Sequence, residues 1–432
     1  MNTLFFLVYN ILYPVFLFFV FFLSIFNKKI RAGLIGRFES INILNKYFNQ
    51  DNIKSNIYWF HCSSYGEYLQ VEQIINGLKK KDNNSIILLS FFSPSGFVNC
   101  KNDNVDCKIY LPFDFLWTIK TAIEIVRPYA IILANNDIWY NFLNVSQSKN
   151  IKTYLIGAES KRFHKNIFST AYYIYKPIYF SFSKIFAVDE NDQKDIFNYL
   201  KNKSLSEIPI TGNPRFDQVI QRSKKQHERG KIDISKREDI LLMASMHKED
   251  RNMILAQLIK YLKNTNIQVY WISHEPNSQE NKYLSNIFNR NNLSTEVIDS
   301  INSIGQIDSR IVIINAVGVL ADLYWNTKIA YIGGGFSSGV HNLMEPAVAG
   351  VPMIFGPRYK KFKEAIEIVG KNAGHSISKS IDFNNFLDFY FNSEENLTSS
   401  SESARNIILN HSGASVKILN YLNPQQQTAR DE

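Results

Sequence analysis

Short apolar runs alternate with helical patterns from residue 57 onwards, and this alternation constrains the fold more than any other feature of the sequence. Short continuous apolar runs are typical of strands buried on both faces, and strands that alternate with helices form parallel sheets. We therefore predict an α/β protein with two Rossmann-like domains that face each other across a cleft. The predicted strands are 57–61, 85–91, 107–111, 129–134, 152–157, 184–188 and 208–211, then 239–244, 267–273, 295–298, 310–314, 329–333 and 352–355.

The N-terminal segment is a predicted membrane anchor. Residues 3–26 contain no charged side chain, and as a helix they would extend about 36 Å, enough to cross a bilayer core. Pro14 and Asn10 interrupt the apolar run, so a helix lying in the membrane interface is the alternative. The run is too long for a cleaved signal and lacks a basic start. By the positive-inside rule, the basic residues that follow place the remainder in the cytoplasm. They are Lys28, Lys29, Arg31 and Arg37.

The predicted domain boundaries follow a change in composition after residue 220. Residues 221–238 are polar and rich in charge, without apolar periodicity, which is typical of a linker. We predict an anchor at 1–27, a first Rossmann-like domain at 28–220 and a second at 239–432. The anchor is expected to be separate from both domain cores.

Composition excludes some partners. The sequence lacks a dense stripe of basic residues interleaved with aromatic ones, which argues against nucleic acid. The net charge of +9 over 432 residues fits a surface facing anionic lipid or a phosphorylated substrate. Three cysteines, an odd number without metal-like spacing, indicate reduced thiols in a cytosolic setting.

Glu67 is the first candidate functional residue. In the stretch NIYWFHCSSYGEYLQVEQII, residues 56–75, a buried strand is followed by a Ser-Ser-x-Gly turn and a helical apolar stripe. Glu67 therefore falls in the first turn of a helix. An acidic residue at this position stabilises the helix by complementing its positive end, and this effect alone can explain the presence of Glu67. Open α/β sheets also bind ligands beyond the carboxyl ends of their strands, so the position is equally suited to catalysis.

The glycine cluster in AYIGGGFSSGVHNLMEPAVAGVPMIFGP, residues 330–357, is the second candidate site. Glycines such as Gly334 and Gly335 let the backbone approach a ligand closely, and a helix starting near His341 would offer N–H groups to phosphate. Asn342 and Glu345 would share one helix face, where a carboxylate can accept both hydroxyls of a ribose. A purely structural turn is the alternative.

These motifs occur together with others that the chain shares with one family. The sequence resembles the 3-deoxy-D-manno-octulosonic acid (Kdo) transferases, membrane-associated glycosyltransferases of lipopolysaccharide synthesis with the GT-B fold. The shared motifs are WFHCSSYGE (59–67), SFFSPSGF (90–97), YLPFD (110–114), RPYAIILANNDIWYN (127–141), ITGNPRFD (210–217), ASMHKED (244–250), NAVGVLADLY (315–324) and GGGFSSGVHNLMEPAVAGVPMIFGPRYKKFKEA (333–365).

The resemblance implies an inverting transferase that moves Kdo from CMP-Kdo onto a lipid A precursor, lipid IVA, at the inner membrane. It makes 28–220 the acceptor domain, 239–432 the CMP-sugar donor domain and Glu67 the catalytic base. A sugar hydroxyl must lose its proton as it attacks, whereas cytidylate leaves with its charge already spread over phosphate. No cofactor or metal is expected, and the sequence has no Asp-x-Asp signature of metal-dependent glycosyltransferases.

The donor residues carried over by the resemblance lie in an Asn-x-x-Glu motif, Asn342, Leu343, Met344 and Glu345. Two more segments match by position only. In WISHEP the family's arginine is replaced by Ser273 and His274 is kept, and in Val317–Val319 the family's acid is lost while Gly318 is kept. Residues expected near the substrates are Ser63, Ser64, Gly66, Asp137, Arg215, Gly334, Gly335 and His341, with His61 and His247 as further cleft candidates.

Two other functions remain open from the sequence. A GT-B glycosyltransferase that uses a UDP-sugar and a lipid-linked acceptor would share the glycine-rich turn and the helix carboxylate, although it would not explain the SSYGE element. A membrane-tethered binding protein with a decayed site is the second alternative, because two donor positions of the family are substituted.

Overall fold

The computed structural model describes residues 3–49, 55–135, 138–163, 170–201, 203–229 and 233–422. The chain divides into two compact units, which we call unit 1 (Met1–Gln218 with Gly413–Glu432) and unit 2 (Val219–Ser412). Each unit contains a parallel β-sheet flanked by helices. The predicted α/β class with two parallel-sheet domains is confirmed.

Unit 1 has a six-stranded sheet in the order β3-β2-β1-β4-β5-β6. Its strands are β1 Ile57–Cys62, β2 Ile86–Phe91, β3 Cys107–Tyr110, β4 Ala130–Ala134, β5 Lys152–Ala158 and β6 Lys184–Ala187. The strand order reverses between β1 and β4, which pair in parallel with Phe60 beside Ile132. All six residues of β1 are buried because helices cover both faces of this central strand.

Helices of unit 1 follow the strands in βαβ order, with two more before β1. They are α1 Thr3–Phe26, α2 Lys28–Phe48, α3 Tyr65–Lys81, α4 Pro94–Asn99, α5 Leu116–Val126, α6 Tyr140–Ser148, α7 Thr170–Tyr179 and α8 Glu190–Leu200. Helix α9, Pro214–Arg229, begins in unit 1 and continues into unit 2.

Unit 2 has a seven-stranded sheet in the order β13-β12-β11-β7-β8-β10-β9. Its strand order reverses between β7 and β11, where Ala244 pairs with Ile332. The strands are β7 Ile240–Met246, β8 Gln268–Ser273, β9 Thr295–Ile298, β10 Ile311–Ile314, β11 Ile329–Ile332, β12 Met353–Phe355 and β13 Gly374–Ser376. The helices are α10 Lys248–Leu262, α11 Ser278–Arg290, α12 Leu320–Leu323, α13 Met344–Val348, α14 Lys363–Gly370, α15 Ser380–Phe391 and α16 Glu394–Asn410.

The predicted boundaries differ from these units at both ends of unit 2. The sequence predicts a linker at 221–238, but α9 is helical through Arg229. The last described helix, α17 Ala414–Leu422, belongs to unit 1 although it follows unit 2 in sequence. Its residues pack on α3 and β1: the Tyr58 hydroxyl donates to the Leu422 carbonyl at 3.2 Å, and the Leu419 side chain lies against Gly77.

Two strand assignments also need correction. The run 208–211 forms a single bridge, between Ile210 and Ala187, rather than a strand. Strand β13 has the sequence Gly-His-Ser and therefore lacks the apolar run by which a buried strand is recognised.

Helix α1 is long and apolar enough to cross a membrane, by length and composition alone. The expectation that it is separate from the core of unit 1 is wrong. Its Tyr9 hydroxyl donates to the Asp114 carboxylate at 2.7 Å, and the Asp114 N–H donates to the Tyr13 hydroxyl at 2.9 Å. The side-chain amides of Asn10 and Asn141 also bond to each other, with one contact at 2.9 Å. The polar residues that interrupt the apolar run therefore dock the helix on unit 1.

Asp114 is the centre of this contact. Its carboxylate is fully buried and also accepts the N–H groups of Asn141 and Phe142, both at 2.9 Å. Burial raises the pKa of Asp114 to about 7, against the opposing effect of these hydrogen bonds.

Candidate active site

Glu67 lies in the first turn of α3, just beyond the carboxyl end of β1. Ser64 is the N-cap of this helix, and its hydroxyl accepts the Glu67 N–H at 3.4 Å. The Glu67 carboxylate accepts the Ser63 N–H at 2.5 Å. This arrangement is close to a capping box. In a capping box the N-cap side chain accepts the N–H of the third helical residue, and the side chain of that third residue accepts a backbone N–H at the start of the helix. A carboxylate accepts at both oxygens, so capping and proton acceptance are compatible roles.

The loop after β2 lies beside the Glu67 loop. Phe92 and Ser93 donate their N–H groups to the carbonyl oxygens of Cys62 and Ser63, at 3.3 and 2.8 Å. Ser93 is itself the N-cap of α4. Two helices therefore begin side by side at the carboxyl edge of this sheet. The first of them, α3, follows β1, which borders the point where the strand order reverses, the position that ligands favour in open α/β sheets.

Gly66 leaves this edge accessible. It is exposed, and a Cβ atom there would meet only the Ser64 hydroxyl, at 3.9 Å, among the described residues. Packing within unit 1 does not require a glycine at this position, whereas a substrate approaching the backbone beside Glu67 would benefit from one.

His61 and Arg215, two further candidates of unit 1, lie in different surroundings. His61 is completely buried, with its Nδ1 2.9 Å from the Ser90 hydroxyl, so it is a core residue and does not line a cleft. Asp137 lies outside the described residues. Arg215 is in the first turn of α9, and the Asp217 carboxylate accepts the N–H groups of Gly413 and Ser415 at the start of α17.

In unit 2 the glycine-rich turn follows β11 and is fixed by Asp250. Asp250 is fully buried in the first turn of α10, and its carboxylate accepts the Gly334 N–H at 2.7 Å and the Tyr331 hydroxyl at 3.0 Å. Gly334 has a φ of 89°, and a Cβ atom there would lie 2.3 Å from the Gly339 carbonyl oxygen. Sequence reasoning missed Asp250, although an acid three residues after His247 in ASMHKED is a recognisable first-turn signal.

Three histidines meet at the point where the strand order of unit 2 reverses. His247 follows β7, His274 follows β8 and His341 follows the glycine-rich turn. The Nε2 atoms of His247 and His341 are 2.6 Å apart, so one ring donates and the other accepts. The centroid of the His274 ring is 4.4 Å from each of the other two. The sequence marked each residue separately but did not predict the cluster, because the three lie far apart in the chain.

Burial and the two neighbouring imidazoles lower the pKa of His341 to about 4. Its ring is therefore neutral at physiological pH, and it can donate a hydrogen bond or bind a metal ion without first losing a proton. Each histidine offers one nitrogen, and these nitrogens all lie within 4.8 Å of one another. Within the described part of the chain, this cluster is the group of side chains suited to a transition-metal ion such as Zn²⁺.

The two segments that match the family by position only, WISHEP and Val317–Val319, lie at the carboxyl ends of the neighbouring strands β8 and β10. Ser273, the last residue of β8, is buried, and within the described structure its hydroxyl has no hydrogen-bond partner. Val317 and Gly318 are exposed in the loop after β10, and Val319 is the N-cap of α12. Gly318 has a φ of 80°, and a Cβ atom there would meet none of the described residues within 4 Å, so its backbone is open to a ligand.

The Asn-x-x-Glu motif differs from its predicted geometry. Helix α13 begins at Met344 and has five residues, with Leu343 as its N-cap, so Asn342 precedes the helix and does not share a helical face with Glu345. The Asn342 side chain accepts the Met344 N–H at 3.0 Å. The Glu345 carboxylate lies 3.7 Å from the Arg222 guanidinium. Gly335 packs against Gly356, where a Cβ atom would lie 2.4 Å from the Gly356 nitrogen.

Comparisons with known proteins show similarity to one family of transferases. Residues 36–218 match the family model of the 3-deoxy-D-manno-octulosonic-acid transferase (kdotransferase) domain. The 3-deoxy-D-manno-octulosonic acid transferase of Chlamydia trachomatis serovar D is 25% identical over 329 residues, covering 74% of this chain and 75% of the relative. That of Aquifex aeolicus is 24% identical over 335 residues, covering 76% and 84%. A solved glycosyltransferase from Rickettsia africae matches with a TM-score of 0.56 at 12% identity, over 85% of this chain and 98% of its own.

The two parallel-sheet units have the GT-B fold. The match to the Kdo transferase domain and the transferase relatives make the chain a glycosyltransferase. Within that class, residues 36–218 match the 3-deoxy-D-manno-octulosonic acid transferase domain, and the chain is similar over about three quarters of its length to transferases of that family.

Proposed function

We propose that the protein transfers Kdo from CMP-Kdo to a lipid A precursor, lipid IVA, with inversion at the anomeric carbon. The observation that carries this proposal is the position of Glu67, a carboxylate at the start of a 17-residue helix where the strand order of unit 1 reverses. The relatives named above are Kdo transferases, which supports the choice of sugar.

In the proposed reaction Glu67 is the general base. A hydroxyl of the acceptor gives its proton to the Glu67 carboxylate, and its oxygen forms a bond to the anomeric carbon of Kdo. The bond from that carbon to the phosphate oxygen breaks, and CMP leaves with the electron pair. Ser63 and Ser64 hold the carboxylate and its helix in place through the cap, which fixes the direction in which the base points.

Unit 2 is the proposed donor site. The N-terminal end of α10, a 15-residue helix directly after His247, offers N–H groups that favour a phosphate, and the His341 ring adds a neutral donor. The unpartnered Ser273 hydroxyl and the open Gly318 backbone would contact the nucleotide. Glu345 would accept the ribose hydroxyls in addition to its pairing with Arg222.

We further propose that α1 holds the protein to the cytoplasmic face of the inner membrane by lying in the interface. The side of α1 that carries Tyr9, Asn10 and Tyr13 is bound to unit 1, whereas large apolar side chains on its other side are exposed. A helix attached along its flank to a folded domain cannot cross the bilayer without immersing that domain, so an interfacial position fits better.

The direct test is a transfer reaction with purified protein, lipid IVA, Kdo, CTP and the synthetase that forms CMP-Kdo. We expect the acceptor mass to rise by whole Kdo residues, and the mass also counts them. Calorimetry with CMP and UDP tests the UDP-sugar alternative, since we expect binding of CMP alone. A protein that binds neither nucleotide and leaves lipid IVA unchanged would instead be a decayed transferase.

A further inference from the structure

The three imidazoles of unit 2, His247, His274 and His341, form what we call the histidine cluster. Their rings lie nearly parallel, with interplanar angles of 16° to 24° and centroid distances of 4.4 to 4.9 Å. A structural histidine usually bonds through its ring to a carboxylate or a backbone carbonyl. Here the hydrogen bond described for the rings joins two of them, His247 and His341. The ring nitrogens therefore gather at one point, as the ligands of a metal ion do.

The distances within the histidine cluster need only small changes to accept an ion. One nitrogen of each ring lies within 4.8 Å of the other two. Around a tetrahedral Zn²⁺ with bonds of about 2.0–2.1 Å, two nitrogens are about 3.4 Å apart. The Nε2 atoms of His247 and His341, now 2.6 Å apart, would separate by less than about 1 Å. The ring that donates in this pair would carry its proton on Nδ1 instead, so that both Nε2 atoms offer a lone pair.

The histidine cluster borders a pocket that is open to solvent and partly acidic. The pocket has a volume of about 420 Å³, and His247 and His274 line it together with Glu275 and Glu280. His274 and Glu275 are exposed, so an ion can enter from solvent. The two acids offset the positive charge of Lys248, which also lines the pocket, and of the start of α10, which by itself would oppose a cation.

The ligand atoms select the class of ion. Imidazole nitrogens suit zinc, copper and nickel, whereas Mg²⁺ and Ca²⁺ prefer oxygen ligands. Three protein ligands on Zn²⁺ leave a fourth position for water. The buried Ser273 hydroxyl lines the same pocket, and among the described residues it has no hydrogen-bond partner, so it can bond to such a water.

A metal ion and a nucleotide would compete for the same groups at this edge. In the function proposed above, the phosphate accepts an N–H from His341, and the Ser273 hydroxyl contacts the nucleotide. A ring nitrogen bound to a metal ion has no proton left to donate. Because the three nitrogens would turn towards the ion, they could not serve the phosphate at the same time.

We propose that the histidine cluster binds a divalent transition-metal ion such as Zn²⁺, and that the bound ion excludes the nucleotide. The second part rests on the proposed function, because it takes the nucleotide to bind at this edge of unit 2. The ion is an inhibitor in this account and takes no part in the transfer reaction.

Metal binding is tested first without nucleotide. After dialysis against a chelator, Zn²⁺ is titrated by calorimetry into the wild type, His274→Gln and the matched control His411→Gln. Both histidines are exposed, and the His411 ring bonds to Glu367 at 2.6 Å, outside the cluster. Loss of a partner of a metal ligand already weakens metal binding 10–100-fold, so loss of a ligand in His274→Gln should cost more than about tenfold. The wild type and His411→Gln should bind one ion with equal affinity.

The exclusion of the nucleotide is then measured with CMP. CMP is titrated into the three proteins with chelator, and again with Zn²⁺ at a concentration that saturates the wild type but not His274→Gln. We expect Zn²⁺ to weaken CMP binding at least about tenfold in the wild type and in His411→Gln, as expected for the loss of a charge-assisted hydrogen bond. The change should be absent in His274→Gln. Chelation of CMP by free Zn²⁺ is the same for all three proteins and cancels between them. Mg²⁺ should leave the affinity for CMP unchanged.

Three results would overturn the proposal. Equal Zn²⁺ affinity in His274→Gln and His411→Gln would remove the histidine cluster as the metal site. An affinity of the wild type for CMP that Zn²⁺ leaves unchanged or increases would overturn the exclusion of the nucleotide. A loss of CMP affinity of equal size in His274→Gln and His411→Gln would assign the effect to free Zn²⁺. If the wild type binds no CMP even with chelator, the proposed donor site fails, and the Zn²⁺ titration alone then decides whether the cluster binds metal.

Discussion

The carboxyl edges of the two sheets differ in the groups they present, although both lie where the strand order reverses. In unit 1 the edge between β1 and β4 carries a carboxylate, Glu67, held by hydroxyl and backbone groups of Ser63 and Ser64. In unit 2 the edge between β7 and β11 carries glycines, three imidazoles and a buried acid whose carboxylate accepts a backbone N–H of the glycine-rich loop. In open α/β sheets the topology favours ligand binding at such an edge, and the side chains there determine the chemistry.

The difference suits two separate tasks. A carboxylate at a helix start in unit 1 can take a proton from an acceptor hydroxyl. The unit 2 edge offers hydrogen-bond donors and imidazole rings, which suit an anionic nucleotide phosphate. Arg358 adds a positive charge there, since its guanidinium donates to the Ser337 carbonyl on the glycine-rich loop.

The largest expected effect is on turnover when the unit 1 carboxylate is changed. Glu67→Gln keeps an oxygen for the Ser63 N–H but cannot accept a proton, so kcat should fall about 10²–10⁴-fold. The matched control is Glu72→Gln, one turn further along α3, where the carboxylate accepts the Tyr68 hydroxyl. Activity within tenfold of the wild type in Glu67→Gln would reduce Glu67 to a helix cap.

The next effect concerns the stability of unit 2. Asp250→Asn leaves either the Tyr331 hydroxyl or the Gly334 N–H without an acceptor, because an amide has one acceptor oxygen where the carboxylate has two. We expect a loss of about 2–4 kcal/mol in the free energy of unfolding and weaker CMP binding, since the glycine-rich loop loses its anchor. Urea denaturation measures it, with the exposed neighbour Glu249→Gln as control. An unchanged midpoint would show that Asp250 does not hold this loop.

A smaller effect is expected for the contact between α1 and unit 1. Tyr9→Phe removes the hydrogen bond to the buried Asp114 carboxylate and should lower the free energy of unfolding by about 1–2 kcal/mol. Tyr47→Phe, at a more exposed position on α2, is the control. Equal stability of both variants in detergent would mean that α1 is only a tether. Deletion of residues 1–26 should by the same argument destabilise unit 1, because it uncovers Asp114.

The last effect, absent at neutral pH, is the part of the pH dependence of stability that His341 contributes in unit 2. The pKa of His341 is about 4 in the folded protein and near 6.5 when unfolded, so between these values the unfolded chain binds more protons. The contribution of His341 to stability is therefore present above pH 6.5 and is lost as the pH falls towards 4. His341→Gln should flatten this part of the curve of unfolding free energy against pH. The same slope in the variant would assign the dependence to other groups.

Most of the fold followed from the sequence because parallel strands buried on both faces appear as short apolar runs. Twelve of the strands begin within one residue of a predicted run, and β13 was missed because Gly-His-Ser has no apolar signal. The return of α17 to unit 1 could not be predicted, since its contact with α3 and β1 joins residues more than 300 positions apart, such as Tyr58 and Leu422.

The candidate sites were predictable only in part. Glu67 and His341 were marked by their positions after a strand and a glycine-rich turn, whereas Ser273 and His274 were marked only by the resemblance to the family. The role of Asp250 and the docking of Tyr9 on Asp114 were not, because both depend on hydrogen bonds between distant segments. The α13 geometry at Asn342 differed because the helix begins two residues later, after an Asn side chain has capped the turn.

The measurement that tests the division of tasks most directly is calorimetric titration of CMP into the wild type, Glu67→Gln and Glu345→Ala. Glu67→Gln should bind CMP as the wild type does, because its carboxylate acts on the acceptor. Glu345→Ala should weaken binding by about 1–3 kcal/mol, since the ribose loses a charged acceptor. If Glu67→Gln weakens CMP binding as much as Glu345→Ala, or if Glu345→Ala leaves the dissociation constant unchanged, the assignment of chemistry to unit 1 and of the nucleotide to unit 2 is wrong.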